Sequence, residues 1–173
     1  MSPIRIYLIG MPGSGKSAVG KRLAQALDVA FVDLDEEIER AEGMPITQIF
    51  KDLGEAYFRK VESGILKSWA LRQDPFVMAT GGGTPCFHQG IEIINKSGTS
   101  IFLDVPPDKL ASRIAAEAHR PLIGEKHRDE TLVRLMEERR AVYNQAQYLI
   151  DAAGSPDEIT GIIMKRLESH AQG

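Results

Sequence analysis

The sequence predicts an α/β fold: a three-layer arrangement with a five-stranded parallel sheet and helices on both faces. Three observations support this. Five short apolar runs, at 4–9, 30–32, 76–80, 99–104 and 148–151, alternate with segments whose apolar residues recur at helical spacing. The first run feeds a glycine-rich loop that opens directly into a helix, a strand–loop–helix unit. At 173 residues the chain is the size of one domain, large enough to bury a core. We therefore read 1–173 as a single domain, with no internal repeat, low-complexity tract or linker.

Taken in order, the strand at 4–9 is followed by a helix over 16–27, with Val19, Leu23, Ala26 and Leu27 on one face. The short second strand ends at Asp33-Leu34-Asp35, and a helix over 36–41 stops at Gly43, with Pro45 beyond. A helical piece over 46–53 runs to Gly54, and a long helix over 55–72 carries Phe58, Val61, Ile65, Leu66 and Trp69 as a core-facing stripe. The strand at 76–80 runs into Gly81-Gly82-Gly83, followed by a helix over 91–96 and the strand at 99–104. Pro106-Pro107 starts a helix reaching 118. Residues 119–128 have a poor apolar pattern and predict a mobile lid; helix resumes over 129–147, and the last strand precedes an amphipathic helix over 156–169. Right-handed crossovers bring the carboxyl ends of such strands to one edge, where ligands bind. That edge collects the glycine loop, Asp33 with Asp35, and the glycine triplet.

Composition narrows the function classes. No apolar run approaches the roughly 20 residues needed to span a bilayer, and the chain enters its first strand at once, leaving no room for a signal peptide. Cys86 is the only cysteine, so neither a disulfide framework nor a cysteine zinc site is available within one chain. A cytoplasmic location is expected. With 21 basic against 24 acidic residues, net −3, the chain lacks the basic surface that broad nucleic-acid binding needs. Cations for a polyanionic ligand must then be gathered locally. His88, His119, His127 and His170 show no metal-ligand spacing.

The glycine loop reads Gly10-Met11-Pro12-Gly13-Ser14-Gly15-Lys16-Ser17, the G-x-x-x-x-G-K-[ST] pattern of a P-loop. Its glycines let the backbone curl so that N–H groups point at phosphate oxygens, and the helix beginning at Lys16-Ser17-Ala18 adds its N-terminal donors. Lys16 supplies a charge for the outer phosphates and Ser17 a hydroxyl for Mg²⁺. Asp33 and Asp35, two apart at a strand end, share a face while the chain stays extended. One suits Mg²⁺ and the other the proton of an attacking hydroxyl; capping of the next helix is the structural alternative. Three glycines after a strand imply that something approaches the backbone closely. Arg59 and Arg139 can face the same rim, and Arg113 and Arg120 flank the start of the lid.

Together with Gly54-Glu55-Ala56-Tyr57-Phe58-Arg59, Thr80-Gly81-Gly82-Gly83, Arg120-Pro121-Leu122 and Arg139-Arg140-Ala141-Val142-Tyr143, these motifs closely resemble the shikimate kinases over nearly the whole chain. The resemblance implies a P-loop NTPase fold and transfer of the ATP γ-phosphate to the 3-hydroxyl of shikimate, on the way to aromatic amino acids. It implies that Asp35 holds the substrate hydroxyls and accepts the proton, and that Asp33 orders Mg²⁺ with Ser17. Arg59 and Arg139 clasp the carboxylate, Gly81, Gly82 and Gly83 contact the ring, and Arg120 closes with the lid onto the phosphates. Arg113 and the turn ending at Pro156 resemble adenine contacts. Ala141 stands where the family often has proline, and Arg140 competes with Arg139 for the clasping role. A monomer is the default.

Two rivals remain at this point: a kinase for another small acceptor, such as gluconate or a nucleoside monophosphate, and a nucleotide-binding switch. Asn95-Lys96-Ser97-Gly98 has only a superficial likeness to a guanine-reading motif and reads as a helix end.

Overall fold

The computed structural model describes residues 3–116 and 125–171. Strands β1 (Arg5–Ile9), β2 (Ala30–Asp33), β3 (Phe76–Ala79), β4 (Thr99–Asp104) and β5 (Tyr148–Asp151) form one sheet in the order β2-β3-β1-β4-β5. Every pairing is parallel. The sequence-based reading of five parallel strands therefore holds, and β1 lies at the centre with β3 and β4 on its flanks.

A strand in that position is covered on both faces, which is why Tyr7, Leu8 and Ile9 are fully buried. Each such aliphatic side chain contributes on the order of 1.5–3 kcal/mol by leaving water. Tyr7 carries a polar tip into the core, and its hydroxyl is satisfied at 2.9 Å by the Ser97 hydroxyl. Helices α1 (Lys16–Leu27), α2 (Leu34–Glu42), α3 (Ile46–Ala70), α4 (Gly90–Ser97), α5 (Pro107–Ala116), α6 (Glu125–Tyr143) and α7 (Pro156–Ala171) complete the described elements, with a 3₁₀ turn at Thr84–Cys86.

Four boundaries differ from the sequence reading in ways that matter. Asp35 does not extend β2; it lies in the first turn of α2, because the Asp33 side chain accepts hydrogen bonds from the Asp35 and Glu36 N–H groups and starts the helix there. The shared extended face expected for the two acids is therefore absent. Helix α6 begins at Glu125 and ends at Tyr143 rather than spanning 129–147, so the last part of the expected lid is helical; its earlier part, with His119 and Arg120, lies outside the described residues. The two helical pieces expected around Gly54 run on as α3, yet Gly54 itself is not helical, at φ 84° and ψ 168°. Finally, the 3₁₀ turn after the glycine triplet carries no helical period in sequence.

Trp69 is core, as expected: its ring packs edge-on to Phe76 and its indole N–H donates to Glu37. Asn95 likewise sits near the end of α4 and donates to the Gln145 carbonyl.

The Gly54 dihedrals lie in a region essentially reserved for glycine, while a Cβ there would meet no atom within 4 Å. Gly54→Ala is expected to lower unfolding free energy by about 1–3 kcal/mol through backbone strain alone. Urea denaturation checks it, and unchanged stability would mean that α3 straightens without cost.

Candidate active site

The carboxyl ends of β1, β2 and β3 open onto a cavity of about 890 Å³ lined by Pro12, Gly13, Gly15, Lys16, Ser17, Ala18, Asp33, Asp35, Gly81 and Gly82, among others. The glycine loop that forms one wall has the curl its pattern requires, with Gly13 at φ 81° and Gly15 at φ 89°. Ser14 lies beneath the loop: its side chain is fully buried, and its N–H closes a turn onto the Met11 carbonyl at 3.1 Å.

Lys16 is folded back against this loop, its ammonium donating to the Gly10 and Met11 carbonyls at 2.8 and 2.9 Å. Its pKa is lowered to about 8, chiefly by burial and with a smaller push from Arg139, against the opposing pull of Asp35 and Asp33. Across the cavity Asp35 is shifted the other way, up to about 6. Desolvation is the largest cause, and the carboxylates of Asp33 and Glu62 add to it against the pull of Lys16. Although the Asp35 side chain opens onto the cleft, the protein around it removes enough water to disfavour the charge.

Ser17 donates its hydroxyl to Asp33 Oδ2 at 3.1 Å. Neighbouring oxygens around an octahedral cation of Mg²⁺ size lie roughly 3 Å apart, so this pair fits two adjacent ligand positions. No cluster of three or more His, Cys, Asp or Glu side chains suited to a metal occurs among the described residues. The donor set fits a cation that keeps most of its waters and arrives on a phosphate chain. Asp33 thus both caps α2 and faces the cavity; the two readings of this acid do not exclude each other.

The glycine triplet is explained by what presses on each residue. A Cβ on Gly81 would lie 3.2 Å from Glu62 Oε2 and 3.3 Å from Asp35 Oδ1; on Gly82, 2.8 Å from an Arg139 nitrogen; on Gly83, 2.5 Å from both outer nitrogens of Arg59. The close approach expected from sequence is therefore made by the protein's own charged side chains. Arg59 is buried and ion-paired to Glu62 at 3.0 Å, with Glu55 at 3.3 Å from its Nε. Glu62, 2% exposed, is held in turn by the Thr84 hydroxyl at 2.8 Å.

Arg139 and Arg140 are separated by their partners. Arg140 binds Asp104 through both outer nitrogens, at 3.1 and 3.0 Å, while Arg139 is the one beside Gly82. One turn further, the Tyr143 hydroxyl donates to the Gly82 carbonyl at 2.6 Å, and burial pushes that phenol up to about 12, so it stays a donor. Helix α6 passes unbroken through exposed Ala141. Arg113 donates to the Ala152, Ala153 and Gly154 carbonyls at 3.0, 3.4 and 3.4 Å, bracing the turn before Pro156 beside the loop. Arg120 lies outside the described residues. Glu62 and Thr84 were missed in sequence; only the three-residue spacing of Arg59 and Glu62 on one helix hinted at a pair.

A family model described as shikimate kinase matches residues 12–168. The chain belongs to the shikimate kinase family. Its members are ATP-dependent kinases that phosphorylate shikimate, within aromatic amino acid biosynthesis. The shikimate kinase of Aquifex aeolicus is 38% identical over 170 residues, covering 98% of this chain and 99% of that one. The crystal structure of the Bacteroides thetaiotaomicron shikimate kinase matches with a TM-score of 0.90 at 33% identity, covering 95% and 98%. That of the Acinetobacter baumannii shikimate kinase, in complex with shikimate, matches at 0.89 and 32%, covering 98% and 95%. The P-loop kinase fold of these proteins is the fold seen here.

Because the folded chain holds the Asp35 proton more tightly than its ordinary pKa of 3.8 allows, its charge costs stability above about pH 6, and that cost fades as pH falls from there towards 3.8. Asp35→Asn should therefore raise Tm at pH 8, with the gap closing as the medium is acidified. Thermal denaturation across pH checks this; equal Tm values at pH 8 would show an unstrained carboxylate.

Proposed function

We propose that this cleft transfers the γ-phosphate of ATP to the 3-hydroxyl of shikimate, giving shikimate 3-phosphate and ADP. The observation that carries the reading is that Lys16 and Asp35 line one cavity whose glycine floor is backed by Arg59 and Arg139.

In this reading the N–H groups of residues 13–18 bind the phosphates, with Ser14 shaping the loop from below. Lys16 leaves its two carbonyls to follow charge towards the bridging oxygen as transfer proceeds. The braced turn at Arg113 and Pro156 borders the adenine. Ser17 and Asp33 would hold Mg²⁺, which neutralises phosphate charge when bound. Arg59 and Arg139 bind the shikimate carboxylate; a planar guanidinium suits a planar anion. The Gly81, Gly82 and Gly83 backbone lies along the ring, and Asp35 orients the attacking hydroxyl and takes its proton. An acid raised to about 6 is ionised at neutral pH yet basic enough to accept. Arg120, on a lid ahead of α6, would add the last cation and help exclude water, which competes as acceptor. We read residues 1–173 as one such domain, acting as a cytoplasmic monomer on ATP and shikimate without nucleic acid or membrane.

ADP release measured with shikimate, gluconate or AMP as acceptor tests the function. Release is expected with shikimate alone; comparable release with another acceptor, or with none, overturns the assignment. For the mechanism, Asp35→Asn should cut kcat by about 10²-fold or more with little change in ATP affinity. The wild-type kcat/KM for shikimate should fall on the acid side of about pH 6. A mutant with wild-type turnover would remove Asp35 from the proton transfer.

A further inference from the structure

We propose that Phe87 is a positioning residue for the acceptor: its ring fixes the tilt of the Arg59 guanidinium and so the aim of that cation along the glycine floor. The inference rests on the reading of Arg59 as a carboxylate clasp. The guanidinium carbon lies 4.1 Å from the Phe87 ring centroid, nearer than the 5.1 Å to Phe58. Two carboxylates already hold Arg59, Glu62 at Nη1 and Glu55 at Nε. Those bonds lie in the plane of the fork and grip it by its edge, leaving its flat face to be held by something else. A ring over that face at this distance holds it from the perpendicular direction, and favours a cation electrostatically. Gly83 completes the enclosure, since its backbone lies so close to both outer nitrogens that any side chain there would displace them.

The loop carrying Phe87 is built to hold it. Phe87 is extended, at φ −113° and ψ 147°, and the next two residues, His88 and Gln89, are left-handed at φ 48° and 60°. Two consecutive non-glycine residues in that region cost backbone strain. The turn is closed by the Gly90 N–H donating to the Phe87 carbonyl at 2.9 Å. A Cβ on Gly90 would fall 1.9 Å from the Thr84 carbonyl oxygen, so the start of α4 is pressed against the 3₁₀ turn and leaves the loop no slack. Yet the ring at the end of this rigid support is 37% exposed. A residue serving only as core filler has no need of such a support, whereas one that must stand over a charged group does.

The experiment compares Phe87→Leu, Phe87→Tyr, Arg59→Gln and the double variant Phe87→Leu/Arg59→Gln, reading shikimate affinity, ATP KM, kcat/KM for shikimate and Tm. Phe87→Leu keeps apolar bulk but loses the π face. It should weaken shikimate binding about 3- to 30-fold, with ATP KM and Tm unchanged, and Phe87→Tyr should restore near wild-type values. On the Arg59→Gln background Phe87→Leu should add no further loss, because the ring acts through the guanidinium. Unchanged shikimate affinity in Phe87→Leu overturns the inference, as does an equal loss on both backgrounds. If Arg59→Gln alone leaves shikimate affinity intact, the clasp reading fails as well.

Discussion

The glycine run after β3 sets the distances in this cleft. Because no Cβ stands at Gly81, Gly82 or Gly83, three sets of charged side chains come within contact of successive residues. Consecutive α-carbons are about 3.8 Å apart, so the carboxylate end at Gly81 and the guanidinium end at Gly83 are separated by no more than about 8 Å of chain. In the proposed reading that span takes a small hydroxylated ring acid, one end towards Asp35 and the other towards the guanidiniums. The spacing of these groups is a property of main chain, with the side chains filling the space it leaves.

Charge is arranged by the same economy. A chain of net charge −3 collects Lys16, Arg59 and Arg139 around one rim and balances them with Asp33, Asp35 and Glu62. The result is a set of mutually constrained groups, with Lys16 made less basic and Asp35 more so than either is in water. Neither shift favours the fold at neutral pH; both bring proton affinities nearer the range in which groups exchange protons readily.

Much of this was legible in sequence, and what was not has a common cause. The five strands, the P-loop and the edge on which ligands bind follow from local patterns: apolar runs, glycine spacing, strand-to-helix transitions. Glu62, Thr84 and Phe87 escaped because their roles depend on residues brought near by tertiary packing. The glycine triplet was readable as a place of close approach, but which atoms approach was not. Asp35 was misplaced onto an extended face because capping by Asp33 starts the helix at Leu34, two residues sooner than the sequence pattern suggests. Arg139 and Arg140 are indistinguishable by type, and partners distant in the chain tell them apart: Asp104, 36 residues before Arg140, and Gly82 beside Arg139.

The last turn of α6 holds two polar anchors on different sides, Arg140 to the end of β4 and Tyr143 to the Gly82 carbonyl. At 19 residues the helix is about 28 Å long, and further back along it Leu132 and Met136 are buried in the core. The carbonyl of Gly82 is thus tied to a helix that is itself seated in the core, and the floor shares the stiffness of α6 although three successive glycines would leave it slack.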